Sequence, residues 1–536
     1  MMKLLLFKLV AFLLAVPVAP IAGLFFLLLI VYRAIVQNAI KLVYGQHFKG
    51  FLEGLDAIWN VEKSSSRSMI NVMFYVVAPS NEQGEFHVKF IEGIRKVIAG
   101  KLMGDDRPYP RLFWKRRQTL GYCFWTNDCQ LKIEDYVRFM DEISFAPGEK
   151  HINENDLRVL IGAISNRRLP EKHTACWELL IGTQPLKGTV VDTIRYPMLL
   201  RLHHTAGDGM AIVKLILNTI AGNHKALAAR ISRPSSQQRQ QSKTTRVPNL
   251  AQLLKIAFNG PSLLLAGILR KTEKNCLSTG SISDKKIVSW CHEVDLGASG
   301  QPVIQIAKKT KQLVEGARFS DIFLVALAAS LQKYFEQKSQ HCPSGGISVI
   351  IPGRAGNEAK SLKIKNRFTT RRQQLQPTRG IQLDDPSSLN TLRQRLAMIS
   401  QGSQSTRSAG SHAATSMFIS TLCNLLPIAL LRLVVSNFRV NVVFSILPEI
   451  EEVSALGYTI QCPTLFLPNT GKISVCLAVI TFGNRVHLGI LADRTVIPSE
   501  EEAHSILDEL MAEIQRMGVL LGNQDKYATT FGIVQE

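Results

Sequence analysis

The sequence predicts a mixed α/β protein of two domains behind an N-terminal membrane-spanning helix. Three observations lead there. A length of 536 residues exceeds one ordinary hydrophobic core and fits two domains with additions. With 46% hydrophobic and 20% charged residues, the chain is globular rather than disordered. Strand-like and helix-like runs then alternate from Met69 to Gly222, the pattern of a mixed α/β domain.

The chain begins with an uncharged run over residues 9–32, LVAFLLAVPVAPIAGLFFLLLIVY. About 20 apolar residues suffice for a helix to cross a bilayer. The run outlasts the apolar core of a signal peptide, and Ala15-Val16-Pro17 is a poor cleavage site, so an uncleaved anchor over residues 1–45 is expected. Pro17 and Pro20 should kink it, which leaves a single span and a hairpin both open. Lys3 and Lys8 before the run and Arg33 and Lys41 after it leave its orientation undecided.

Residues 46–230 hold the first domain. Met69–Val77 reads as a strand. Residues 85–102 read as a helix, with Phe90, Ile91, Ile94 and Val97 or Ile98 on one face. Asn153–Asn166 is a second helix, Tyr196–His203 a strand, and Asp208–Ala221 a helix stopped by Gly222. Residues 231–248, ISRPSSQQRQQSKTTRVP, carry only positive charge and read as a flexible linker within a crossover over 231–287. Leu250–Leu269 is apolar but broken at Asn259-Gly260-Pro261, as a core helix pair or an interfacial segment would be. The second domain, 288–536, is expected to hold a buried helix over 319–335 and strands over 347–351, 472–482 and 486–492. Met417–Val435 reads as a buried helix, with membrane contact as the minority reading. The last helix opens on a Ser499/Glu502 capping box, and Ile506, Leu507, Leu510, Met511, Ile514 and Met517 mark its apolar face. No internal repeat is present.

The formal charge of +21 calls for an anionic partner. The basic residues are spread along the chain, without zinc-finger spacing or an aromatic-basic RNA-binding motif, so nucleic acid is not the expected partner. An acidic membrane surface or a phosphorylated substrate remains. Nine cysteines, an odd number without a C-x-x-C pair, argue against a disulfide framework and a structural zinc site. No metal and no cofactor are expected, and a reducing, cytosol-facing location is.

The chemistry-bearing segment is His203-His204-Thr205-Ala206-Gly207-Asp208-Gly209, at a strand-to-helix corner. Successive strand residues point to opposite faces, so an extended strand end can aim only one of the two histidines into a given cavity. An imidazole with a pKa near 6.5 can take a proton at neutral pH, as an alcohol must lose one when it attacks a thioester. Asp208 suits an N-cap of the following helix or a salt bridge that steadies the loop. Gly207 and Gly209 supply backbone freedom.

These residues resemble the HHxxxDG signature of CoA-dependent acyltransferases, and most of all the wax ester synthase/diacylglycerol acyltransferase family. The resemblance runs over residues 66–520. It takes in Gly121-Tyr122-x-Phe124-Trp125, Trp177-Glu178, Pro352-x-Arg354, Asn366-Arg367-Phe368 and Gly489-Ile490-Leu491-Ala492-Asp493-Arg494. It implies a chloramphenicol-acetyltransferase-like fold of two α/β halves with a tunnel between them, and His204 as the general base. His203 and Asp208 would stand beside His204. Gly207, Gly209, Asp493, Arg354 and Asn366 would support the site. Acyl-CoA would be the co-substrate, and a long-chain alcohol or diacylglycerol the acceptor. The product would be wax ester or triacylglycerol, made at the endoplasmic reticulum membrane or a lipid droplet with the catalytic domains facing the cytosol. Asp493 and Arg494 also suit a buried ion pair at a strand end, and Arg354 and Asn366 a structural role. The chain departs from the family where Ser445-Ile446-Leu447-Pro448-Glu449 replaces an Asn-Val-Pro-Gly-Pro stretch, and where Cys476 takes the place of an Asn. Another acceptor (a sterol, an amine, a small alcohol) and an inactive acyl-CoA- or lipid-binding protein are the alternatives. The oligomeric state stays open, a homo-oligomer included.

Overall fold

The computed structural model describes residues 2–62, 68–82, 84–103, 109–128, 132–144, 151–170, 176–186, 192–207, 215, 219–220, 275–277, 283, 285–294, 296–340, 342–354, 366, 368–405, 419–436, 440–447, 449–450 and 452–530. The expected linker over 231–248, the apolar segment 250–269, and Asp208 and Gly209 lie outside the described residues.

The uncharged N-terminal run does not form one helix. It is divided between Met2–Ala15 and Ala19–Tyr44. Pro17 lies in the break and Pro20 in the first turn of the second helix, where a missing N–H costs nothing. Among the described residues, Pro20–His47 is the one helix long and apolar enough to cross a membrane. Its first part is exposed, at Leu24, Leu27 and Leu28 among others. Its second part buries Val36 and Ile40 against Phe51, Tyr122 and Phe124.

In the first half of the chain the strands are β1 (Phe48–Phe51), β2 (Met69–Pro79), β3 (Lys115–Thr119), β4 (Tyr122–Thr126), β5 (Val137–Phe139), β6 (Trp177–Ile181) and β7 (Thr193–His203). In the second half they are β8 (Lys286–His292), β9 (Ile347–Arg354), β10 (Phe368–Leu375), β11 (Val442–Ile446), β12 (Ser454–Ala455), β13 (Tyr458–Phe466), β14 (Val475–Phe482) and β15 (Arg485–Asp493). They form a three-stranded sheet, β1-β4-β3, and two six-stranded sheets, β12-β13-β2-β7-β6-β5 and β10-β9-β11-β14-β15-β8. The first large sheet is thus completed by two strands from the far half of the chain. Its central strands are nearly continuous hydrophobic runs because both faces are covered. One face packs on the Phe86–Leu102 helix through Phe90, Ile91, Ile94 and Ile98, as their spacing requires. The second large sheet packs on Phe319–Gln337 and Glu500–Thr530, whose Ile506, Leu507, Leu510, Ile514 and Met517 are all buried.

Two expected details are built differently. Ser499 Oγ accepts the Glu502 N–H at 3.2 Å, but the Glu502 carboxylate does not return to close the box. It pairs with Lys338 Nζ at 2.7 Å and accepts from the Tyr334 hydroxyl at 3.2 Å. A cation within reach outbids one backbone amide for a carboxylate. The apolar run over 417–435 is also not one buried helix. Pro427 separates a helical stretch over 419–425 from Ile428–Ser436.

Candidate active site

β7 carries the histidine pair to its place. It lies between β2 and β6, with Met69 opposite His203 and Trp177 opposite Leu202. Two residues before His203, Arg201 faces Glu178 across the ladder. The two form a buried ion pair, to which Arg138 adds a second cation. The strand ends at His203, whose N–H donates to the Cys176 carbonyl at 2.7 Å; His204 begins the turn, its N–H on the Ser68 carbonyl at 2.8 Å.

The two rings meet opposite surroundings. Arg116, on β3, donates to His203 Nε2. On the other side of the ring, Nδ1 lies 2.9 Å from Thr205 Oγ1 and accepts the Thr205 N–H at 3.3 Å. Both nitrogens of His203 are engaged, and burial beside Arg116 pushes its pKa well below the usual imidazole value. The His203 ring is therefore neutral. The His204 ring instead stacks on Trp59, with centroids 3.7 Å apart and planes 7° from parallel. Phe368 stands 6.1 Å from it. His204 Nδ1 is buried and has no hydrogen-bond partner. Burial pushes this imidazole down to about 3, against weaker pulls from its own backbone, Asn366 and the Gly207 backbone. A neutral ring with an open lone pair is what a base requires before the proton moves.

Asn366 holds the corner from the other side. Its Nδ2 donates to the His204 carbonyl at 2.5 Å and to Asp56 Oδ1 at 2.9 Å, and its N–H reaches the same Oδ1 at 3.2 Å. Asp56 is buried and paired with Arg111 at 2.5 Å. Burial raises its carboxyl pKa, while Arg111 and Asn366 oppose the rise. Asp56, Trp59, Arg111 and Arg116 were not singled out from the sequence, and Phe368 was named only within the Asn366-Arg367-Phe368 run. The one legible signal was Asp56 and Trp59 three residues apart, a spacing that puts both on one side of a helical turn.

Of the expected site residues, the structure brings His203, His204 and Asn366 together, with Gly207 just beyond. Arg354 ends β9 opposite Phe368. Asp493 ends β15 elsewhere. Its Oδ1 accepts from Ser283 N at 3.2 Å, Ser283 Oγ at 3.0 Å, Thr495 N at 3.0 Å and Thr495 Oγ1 at 2.6 Å. Asp493 does not pair with Arg494, which reaches Glu500 at 3.1 Å. Strand alternation sends adjacent side chains to opposite sides. Cys476 is buried on β14, its Sγ donating to the Pro468 carbonyl at 3.3 Å. Apart from this site, His292, Cys462 and His487 place one potential ligand atom each within 4.8 Å of the others. The two imidazoles bond Nδ1 to Nδ1 at 3.1 Å, and Arg195 and Arg158 face His292, so a cation there would meet like charge.

Residues 381–517 match the family model described as the WS/DGAT C-terminal domain. No curated protein matches the chain in sequence. Among solved structures it is similar to the wax ester synthase/diacylglycerol acyltransferase from Marinobacter aquaeolei VT8, at 14% identity and a TM-score of 0.55, over 87% of this chain and 98% of that one. It is also similar to the trichothecene 15-O-acetyltransferase from Fusarium sporotrichioides, at 11% identity and a TM-score of 0.56, over 87% and 94%. These likenesses establish the shared two-domain α/β fold.

Proposed function

We propose that this chain, whose residues 381–517 match the WS/DGAT C-terminal domain, acts as a member of the wax ester synthase/diacylglycerol acyltransferase family and moves an acyl group from acyl-CoA to a long-chain alcohol or diacylglycerol. The observation that carries this reading is His204, a neutral buried imidazole with an unpartnered Nδ1 on a corner clamped from three sides.

In the proposed reaction the acceptor hydroxyl gives its proton to the His204 imidazole as its oxygen attacks the thioester carbonyl. The tetrahedral intermediate then collapses, the C–S bond breaks, and the imidazolium returns the proton to the CoA thiolate. The products are an ester and free CoA. A ring whose pKa is held at about 3 is a weak base in the empty pocket. The developing oxyanion offsets this, because opposite charges attract strongly where water is excluded. Gly207 lets the chain turn at the corner; Asp208 and Gly209, the other motif residues, lie outside the described residues. The Pro20–His47 helix holds the enzyme on the endoplasmic reticulum membrane, or at a lipid droplet, with the catalytic part toward the cytosol.

The test uses membranes from cells without their own neutral-lipid synthesis, expressing wild type or His204→Ala, fed labelled palmitoyl-CoA with hexadecanol or diacylglycerol. Wild type is expected to make wax ester or triacylglycerol. The variant is expected to lose about 10²–10⁴-fold, the usual contribution of a positioned base. Ester formation that survives in His204→Ala would remove His204 as the base. Acyl-CoA binding without any ester from wild type would instead identify a binding protein. The low His204 pKa and Cys476 at the family's Asn position favour that second reading.

A further inference from the structure

The Ile428–Ser436 helix reads IALLRLVVS, apolar on every side except at Arg432 and its last residue. Such a helix is stable inside a core or in lipid. This one is half covered. Ile428 and Leu431 are buried against the protein, and Arg432 Nε is drawn back onto the Val61 carbonyl at 2.7 Å. Leu433 is 62% and Val434 40% exposed.

Its neighbours tie this bare face to the N-terminal helix. The Ile428 N–H donates to the Gly121 carbonyl at 2.7 Å, and the Tyr122 hydroxyl to the Leu425 carbonyl at 2.8 Å. Leu120, in the same β3–β4 turn, is 54% exposed with a φ of 46°. Its carbonyl accepts from the Tyr32 hydroxyl at 3.2 Å. Tyr32 ends the uncharged run of residues 9–32, and tyrosines gather where an apolar helix leaves the hydrocarbon. Leu120, Leu433 and Val434 therefore stand at the depth where such a helix would emerge. On its inner side the segment meets the active site. It packs on the Leu55–Ile58 helix, and the Gly54 N–H donates to Asn424 Oδ1 at 2.5 Å. Trp59, which follows directly, is the residue stacked on His204.

We propose that residues 419–436, with Leu120, form a second membrane contact that lies in the interface of the bilayer holding the N-terminal helix, and that a lipid acceptor reaches His204 along it. The last clause rests on the acyltransferase reading; the membrane contact does not.

The test places tryptophan on the surface of the full-length protein. Leu433→Trp, reconstituted in vesicles of brominated phosphatidylcholine, is expected to lose its added emission relative to the same protein in unbrominated vesicles. Met398→Trp, on the exposed side of Ser388–Ser405, is the control and is expected to keep it. Equal, unquenched emission from both would overturn the contact. So would an unquenched Leu433→Trp in a protein that elutes as a dimer, since a second copy would then cover the face. Separately, Leu433→Glu is expected to raise the KM for hexadecanol in vesicles roughly tenfold, the effect of losing one buried side chain, and to leave turnover of a short soluble alcohol unchanged. Quenching without any ester from wild type would uphold the contact and sink the acyltransferase reading alone.

Discussion

Each six-stranded sheet ends one long strand at a residue that the motif pattern marks: β7 at His203-His204 and β15 at Asp493. Both ends are buried, and both polar groups keep an atom without a hydrogen-bond partner, His204 Nδ1 and Asp493 Oδ2. Their surroundings differ. Asp493 Oδ1 takes four hydrogen bonds from Ser283 and Thr495, all in turns that hold the strand end. His204 is held instead by its peptide group, on Ser68 and Asn366, and by the face of its ring, on Trp59. Its Nδ1 takes no hydrogen bond. A reactive side chain is fixed by everything except the atom that reacts, whereas a structural one spends its polar atoms on the scaffold. By that criterion we propose His204 as the chemical group and Asp493 as the brace.

The largest expected effect lies behind His204. Asp56→Ala leaves Arg111 and Asn366 without their buried anion. It should cost about 3–5 kcal/mol of stability, the usual result of removing one partner of a buried pair. Denaturant unfolding measures it. A loss below about 1 kcal/mol would mean that the corner is held mainly by Trp59.

Asp493→Ala comes next, at about 1–3 kcal/mol for donors left unsatisfied. If the two strand ends differ as argued, its turnover per folded molecule should stay near wild type. A collapse of kcat with unchanged stability would break the comparison and return Asp493 to the reaction.

The smallest effect sharpens the His204 side. In the proposed reaction the neutral ring is the active form, so protonation removes activity as the pH falls. With its pKa held at about 3, kcat/KM should show no acid limb from its titration between about pH 5 and 8. Trp59→Ala would admit water to the ring and lift the pKa toward the ordinary value of about 6.5, which brings an acid limb into that range. A wild-type limb near 6.5 would show that the pocket is already wet.

Much of the scaffold was legible in advance. The strand ending at His203 and the helices over 86–102, 154–166 and 319–337 follow from local periodicity, which a single stretch of chain carries by itself. Asn153 even caps its helix as its type suggests, accepting the Asp156 N–H at 2.9 Å. The Asp493–Arg494 pair and the closed Ser499–Glu502 box were misread for one reason. Neighbours in sequence are natural partners on paper, but each charged group chose a partner made available by folding, Glu500 for Arg494 and Lys338 for Glu502.

By itself, then, the sequence determined the mixed α/β class, an apolar N-terminal helix, and a histidine pair at a strand end. Only the tertiary structure decided which ring keeps an open nitrogen, since that depends on Arg116 reaching one and Trp59 covering the other, from 87 and 145 residues away. It also decided that β12 and β13 cross to finish the first sheet, and that Asn366 meets Asp56 across 310 residues. Contacts at such separations leave no period or spacing in the chain; they exist only once long loops have closed and their entropy has been offset by burial.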